Sequence, residues 1–245
     1  MTPLVLLQFM ICPLVFMLLL RTTAPYGKHF SPGWGPAIPN RSGWFLMELP
    51  AFLVVGYVLV TSDVGLTPVA GVPWLLWSMH YGYRAFIFPC LMRSSGKNFP
   101  VLLVVSGAAF NVLNGYNNGQ ALLTKAAGHE ALFSIHFAVG TLLFLAGAWL
   151  HIGTDHTIRQ LRHTGSEGYK IPAGKWFDRV SNPNYFGEII QWAGWAILTW
   201  SWAGLAFALF TFCNLAPRAI ANHRWYRNSF ADYPLKRKIL IPGLF

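Results

Sequence analysis

Charge is what this chain has least of. Only 11% of its 245 residues are charged, with 8 Asp and Glu against 18 Lys and Arg, where a soluble domain carries roughly a quarter. A water-soluble globule is thereby excluded, because runs such as Leu4 to Leu20 have no place on its surface. Cysteine is scarce as well. Cys12, Cys90 and Cys213 lie singly in apolar stretches, which excludes a disulfide framework and a structural zinc site and leaves no metal site to name. Neither a GxGxxG after a strand nor a GxxxxGK[ST] occurs, so no Rossmann fold or P-loop is expected. Repeats, low-complexity tracts and long linkers are absent too. The longest polar stretch, 153–184, is punctuated by Gly165, Gly168, Pro172 and Gly174, and the chain reads as a single domain over 1–245.

What is there is hydrophobicity, at 54% of the chain. Seven runs approach the roughly 17–25 residues that cross a bilayer: near 3–20, 44–62, 69–92, 99–118, 130–152, 185–201 and 202–220. The first has no basic segment before it and no small-residue cleavage site before Arg21, so it is expected to stay as a helix. Seven spans with the N-terminus outside place 16 of the 18 basic residues on the inner side; Lys125 falls outside and Arg84 within a span. The positive-inside rule therefore favours an all-α integral membrane protein of seven transmembrane helices, N-terminus outside or lumenal and C-terminus cytosolic. The formal charge of +10 follows from that topology and from anionic lipid headgroups, and implies no nucleic acid partner.

Ionisable groups within spans are costly unless paired or facing a cavity. Glu48, His80, Arg84, His136, His151 and Glu188 are such groups. Glu48 lies about one turn into its span, and Pro50 is expected to end the local hydrogen-bond ladder and open a pocket beside it. Tyr81 and Arg84, three residues apart, share a helix face that Glu48 could meet, either as part of a site or as a structural ion pair. His136 reads as a packing residue. His151, Asp155, Arg159 and Arg162 form a stripe that continues the fifth span as a helix, to be read as a solvated end or as one wall of a site. A second basic set, Arg218, Arg224 and Arg227 interleaved with Asn222, His223, Trp225 and Tyr226, converges on the same inner side. Guanidinium forks beside aromatic planes suit a phosphorylated nucleotide held among helices. A transporter or receptor would use intramembrane Glu, His and Arg as an ion path instead, but it would not need that inner cluster.

The segments Trp44 to Pro50, His80-Tyr81, Arg159 to Arg162, Tyr169 to Pro172, Asn184 to Ile190 and Asp232-Tyr233-Pro234 resemble those of steroid 5-alpha-reductases, from about Tyr26 to Phe245. The part around Asn182 to Glu188 is also similar to sterol reductases and to isoprenylcysteine carboxyl methyltransferases, which use S-adenosylmethionine. Glu48 and His80-Tyr81 are the specific part. The resemblance implies a seven-helix membrane enzyme that binds NADPH from the cytosolic side and reduces the C4=C5 bond of a 3-oxo steroid to the 5-alpha product. A sterol or polyprenoid double bond is the alternative substrate. Residues 1–128 would form the steroid-binding half and 129–245 the NADPH-binding half of a monomer, in the endoplasmic reticulum if eukaryotic or the inner membrane if bacterial, with membrane lipid around it.

In an enone reduction, hydride adds to the beta carbon and negative charge grows on the carbonyl oxygen, so a donor must meet that oxygen. Tyr81 is a neutral phenol at pH 7, and Glu48 in an apolar pocket could donate as an acid. These two are the expected catalytic pair. By position, the resemblance assigns cofactor contacts to Asp155, Arg162, Asn184, Glu188, Arg218 and Tyr226, and also to Lys28, Arg84, Lys97, His151 and Asn222. Trp44 and Phe110 would line the steroid cavity. The chain departs from the family pattern at Met47, Lys97, His151 and Asn222, where Gln, Arg, Asn and His are expected.

Lysine is a point charge where arginine offers a planar fork. With Lys97 at a 2'-phosphate contact, the preference for NADPH over NADH should be narrow. Measuring steady-state reduction with each cofactor checks this, and a strong preference for NADPH would exclude Lys97 as the deciding contact.

Overall fold

Seven long helices carry the chain, in a computed structural model that describes residues 1–63, 67–92, 98–125, 134–163 and 169–245, with the side chains of Lys125, Arg162 and His163 outside that description. Helix α1 (Pro3–Arg21) starts where Thr2 Oγ1 accepts the Val5 N–H at 3.3 Å, with Pro3 at the first helical position. Helix α2 spans Asn40–Val60. Helix α3 (Pro68–Gly82) repeats the Thr-Pro start, with Thr67 capping Ala70 at 3.4 Å; it then widens into a π turn at Tyr83–Ile87 and finishes as α4, Phe88–Leu91. Next come α5 (Val101–Lys125), α6 (Ile135–His163), α7 (Pro183–Thr199) and α8 (Trp202–Ser229). Trp200, left-handed at φ 44°, and Ser201, which caps Gly204 at 3.0 Å, turn α7 directly into α8.

Each expected span coincides with one of these helices, α3 and α4 together making the third. Four of them, α1, α2, α6 and α8, are long and apolar enough to cross a membrane. The other three fall short for physical reasons. The π turn leaves α3 with 15 residues, α7 has 17, and α5 carries Asn111, Asn114, Asn117 and Asn118. Exposed apolar side chains such as Leu14, Val60, Leu142 and Trp149 cover the outer faces, as on helices that meet lipid.

Helix α2 runs through Pro50 to Val60, in keeping with the expected span of 44–62. The architecture is all-helical, as expected, apart from one short pairing among the described residues, β1 (Ala37–Pro39) antiparallel with β2 (Asn98–Pro100), Ala37 opposite Pro100. Helix α6 continues to His163, so the His151, Asp155 and Arg159 stripe does lie on a helix.

Helices α6 and α7 pack most closely, and glycine is the reason. Gly140 and Gly147 on α6 and Gly187 and Gly194 on α7 recur seven residues apart. A Cβ at Gly187 would sit 2.6 Å from the His151 backbone nitrogen; at Gly147 it would overlap the backbone nitrogen of Gln191. Small residues at such crossings let backbones touch where no hydrophobic drive exists between helices. Above this contact lies an aromatic core: Trp192 packs on Trp77 at 5.4 Å and on Phe207 at 4.3 Å, and Trp77 Nε1 donates to Ala51 O at 2.8 Å.

Gly147→Val should therefore lower stability by about 1–3 kcal/mol or more, as overpacking does. Gly153→Ala, on the same helix with nothing within 4 Å of its added Cβ, should keep or raise the melting temperature, since alanine is the better helix former. Equal melting temperatures for the two variants would exclude close backbone contact at Gly147.

Candidate active-site cavity

A cavity of about 890 Å³ opens among α1, α2, α3, α5, α6, α7 and α8, near the top of the ~300–1,000 Å³ range of small-molecule sites. Glu48, Tyr81, Lys28, Arg84, His151, Asp155, Asn184, Glu188, Arg218, Asn222, Tyr226, Trp44 and Phe110 all line it. Of the residues expected to form a site, Lys97 lies outside the described residues, and so does the side chain of Arg162.

The π turn puts Arg84 into this cavity. Its Nη2 donates to Glu48 Oε1 at 3.2 Å, and the guanidinium stacks over Trp44 at 4.5 Å and Phe88 at 4.8 Å. One extra backbone residue per turn re-aims a side chain, which is why π turns recur at functional sites. The second carboxylate oxygen of Glu48 faces Asn111 Nδ2 at 3.5 Å, and that amide also donates to Met47 O at 2.7 Å. Tyr81 is 3% exposed, its ring 4.8 Å from Trp77 and 5.8 Å from Trp192. His80 Nδ1 bonds Gln191 at 2.9 Å behind it.

The glycine crossing of α6 and α7 sets the neighbouring wall. His151 Nδ1 reaches Asn184 O at 3.3 Å and Glu188 Oε2 at 3.5 Å, and Asn184 Nδ2 donates to Asp155 Oδ1 at 3.0 Å. Asn184 and Glu188 project from the first turns of α7. Asn182, just before them, does not cap that helix. It spends its side-chain amide on Ala219 O and Ile239 O and accepts from Asn222 Nδ2 at 2.9 Å, tying α7 to α8 and to the C-terminal tail.

Arg218 is the most heavily engaged cation. It donates to Ala24 O, Tyr26 O and Tyr185 Oη, each at 3.1 Å, and lies 3.5 Å over the Tyr26 ring. The loop after α1 is thus strapped to α8. Burial pushes the Tyr26 phenol up to about 12, so it stays neutral. Lys28 stacks over Tyr226 at 4.0 Å, and His29 Nε2 meets Asn222 Oδ1 at 2.9 Å. Phe110 stacks on Phe210 at 3.5 Å on the opposite, apolar wall. His136 sits at the start of α6, bonded to Ser134 at 3.1 Å and packed on Trp200, away from the cavity.

Sequence reasoning passed over Tyr26, Asn111 and Tyr185, which also line the cavity. Asn111 carried a visible signal, being one of four asparagines on one apolar helix. Tyr26 carried none, since only the fold brings its loop to Arg218.

A family model described as 3-oxo-5-alpha-steroid 4-dehydrogenase matches residues 97–245. Over 230 residues the chain is 40% identical to steroid 5-alpha-reductase DET2 of Arabidopsis thaliana, covering 91% of this chain and 88% of that protein. It is 40% identical over 232 residues to 3-oxo-5-alpha-steroid 4-dehydrogenase 1 of Macaca fascicularis, with 91% and 86% covered. It is also 40% identical over 225 residues to 3-oxo-5-alpha-steroid 4-dehydrogenase 2 of Homo sapiens, with 90% and 87% covered.

His29, bonded to the cavity-lining Asn222, should make the stability of the fold depend on pH. Burial, followed by the nearby charges of Arg218 and Lys28, lowers its ring from the ordinary 6.5 against the bond to Asn222 Oδ1. A folded pKa below the unfolded one leaves stability complete above about pH 6.5 and erodes it as pH falls toward the folded value. The melting temperature should drop as pH falls below about 6.5, and by less in His29→Gln. An identical drop in the variant would assign the effect to other groups.

Proposed function

Because the chain belongs to the steroid 5-alpha-reductase (3-oxo-5-alpha-steroid 4-dehydrogenase) family and is therefore an oxidoreductase, we propose that it reduces the C4=C5 bond of 3-oxo-Δ4 steroids such as testosterone or progesterone, with NADPH as reductant. One observation carries this reading. The two groups suited to polarise a carbonyl, Tyr81 and Glu48, share one cavity with the cations, amides and carboxylates suited to a dinucleotide.

That donor set fits NADPH. Arg84, Arg218 and Lys28 offer positive charge to phosphates, with Lys97 and Arg162 completing the set from outside the described side chains. Asp155 and Glu188 accept hydrogen bonds from hydroxyl or amide groups, and His151, Asn184, Asn222 and Tyr226 offer neutral contacts. When bound, NADPH supplies the hydride that adds at C5. Trp44 and Phe110 line the part of the cavity that would take the fused rings. Residues 1–128 would hold the steroid and 129–245 most of the cofactor, with Lys28 and Arg84 reaching across.

Tyr81, its ring packed on Trp77 and Trp192, donates to the 3-oxo oxygen as charge develops there. Glu48 flanks the same oxygen, and its carboxyl is held between Arg84 and Asn111. The seven helices would all span the bilayer, N-terminus outside or lumenal and C-terminus cytosolic, so that the basic ends of α6 and α8 face the compartment that supplies NADPH. A monomer in the endoplasmic reticulum membrane of a eukaryote, or the inner membrane of a bacterium, would suffice.

Detergent-solubilised protein incubated with NADPH and testosterone should yield the 5-alpha-dihydro product by mass spectrometry. Tyr81→Phe and Glu48→Gln should each lower kcat by about 10²–10⁴-fold while still binding NADPH. Bound NADPH without product would move the substrate to another sterol or polyprenoid double bond; failure to bind NADPH would sink the reductase reading.

A further inference from the structure

Helix α8 carries an amide that neither the packing of the bundle nor the reaction as described uses. Asn214 lies nine residues, about two and a half turns, beyond Leu205. It therefore sits opposite the exposed Leu205, Leu209 and Phe212, and it lines the cavity. Its side chain makes no hydrogen bond among the described residues. We infer that Asn214 is a specificity residue whose amide hydrogen-bonds an oxygen on ring D of the steroid. The inference rests on the reduction of a 3-oxo-Δ4 steroid proposed above, and adds which steroids the cavity selects.

The surroundings of Asn214 are those of an apolar chamber. Helix α1 contributes Val15 and Leu18, α5 contributes Leu103 and Phe110, and α8 itself Phe207 and Phe210. Phe110 stacks on Phe210 at 3.5 Å, and Phe16 of α1 stacks on Phe212 at 6.5 Å, so α1 and α5 flank α8 at this level. Ser106 on the α5 wall is already bonded to Leu102 O at 2.7 Å. Other amides inside the bundle have protein partners: Gln8 meets Asn114 at 2.9 Å, Asn118 also meets Asn114 at 2.9 Å, and Gln191 meets His80 at 2.9 Å. An amide left without one in low dielectric is costly, and a polar group within a span marks a functional position by default. The partner missing at Asn214 is one that a ligand can bring.

The position of the amide says which part of the ligand. Trp192 packs on the Tyr81 ring at 5.8 Å and on Phe207 at 4.3 Å, so Phe207 marks the level of the carbonyl donor on α8. Asn214 is seven residues further, about 10 Å along the helix axis. That is the scale of four fused rings, and a steroid held by its 3-oxo oxygen at Tyr81 brings ring D to Asn214. A carboxamide both donates and accepts, so it suits a hydroxyl and a ketone alike, whereas hydrocarbon at that place leaves it unpaired. A site built to hydrogen-bond its substrate rejects the analogue lacking that group more strongly than an apolar wall rejects a missing methylene.

Testosterone and androst-4-en-3-one, which differ only in the ring-D hydroxyl, give the test. With NADPH and the wild-type protein, kcat/KM for testosterone should exceed that for the deoxy steroid roughly 10–100-fold. Asn214→Leu should bring the ratio close to one, chiefly by lowering the testosterone value, with the Kd for NADPH unchanged. Equal kcat/KM for the two steroids in the wild type would overturn the proposal without recourse to any variant. A variant that lowers both steroids by the same factor, or that weakens NADPH binding, would place Asn214 with the cofactor or the fold and overturn it too. Wild type that binds NADPH but reduces neither steroid would instead defeat the steroid reading beneath it, and the inference with it.

Discussion

The site depends on two helices that meet backbone to backbone. Gly140 and Gly147 face Gly194 and Gly187 so closely that a single Cβ on either side would collide with main chain. Between lipid-embedded helices there is little hydrophobic drive to associate, and the gain comes from dispersion and polar contacts made possible by close approach. The crossing does more than hold α6 to α7. It fixes the relative height of the two helices, and with it the meeting of His151 with Glu188 and of Asp155 with Asn184. A shift of one turn would separate each pair by about 5.4 Å.

A charge inside such a bundle is tolerated only with partners. Arg84 has Glu48 and two aromatic faces, and Arg218 has two carbonyls, a phenol and the Tyr26 ring. The second arrangement serves two purposes. Arg218 brings positive charge to the cavity and pins the loop that carries Lys28 and His29 over it. Those loop residues then reach Tyr226 and Asn222 on α8, so one guanidinium organises an entire edge of the cavity.

Hydrophobic runs made the helices legible, because a span must satisfy its own backbone and expose apolar side chains along its whole length. Helix ends were less legible. Helices α6 and α8 continue past their apolar parts to His163 and Ser229. The π turn at Tyr83 had no sequence signature. Glu48, Tyr81 and Arg84 stood out as polar groups in apolar runs, whereas the glycine pairs on α6 and α7 carried their information in a spacing of seven across two separate segments. Tyr26 was invisible because its role comes from a partner nearly two hundred residues away.

Asn111 shows how one requirement is met from an unexpected direction. Met47, beside Glu48, has a thioether that cannot donate a hydrogen bond, and it packs instead into the space left by Gly107, where an added Cβ would lie 2.6 Å from Met47 Cγ. An amide nonetheless reaches the glutamate from α5, through Asn111 Nδ2 at 3.5 Å, which the Met47 carbonyl holds in place at 2.7 Å. Glu48 thus keeps both a cationic and an amide neighbour. A polar group in low dielectric demands a partner but not a particular residue to supply it. A motif read along one helix can therefore appear incomplete while the site it belongs to is satisfied across two.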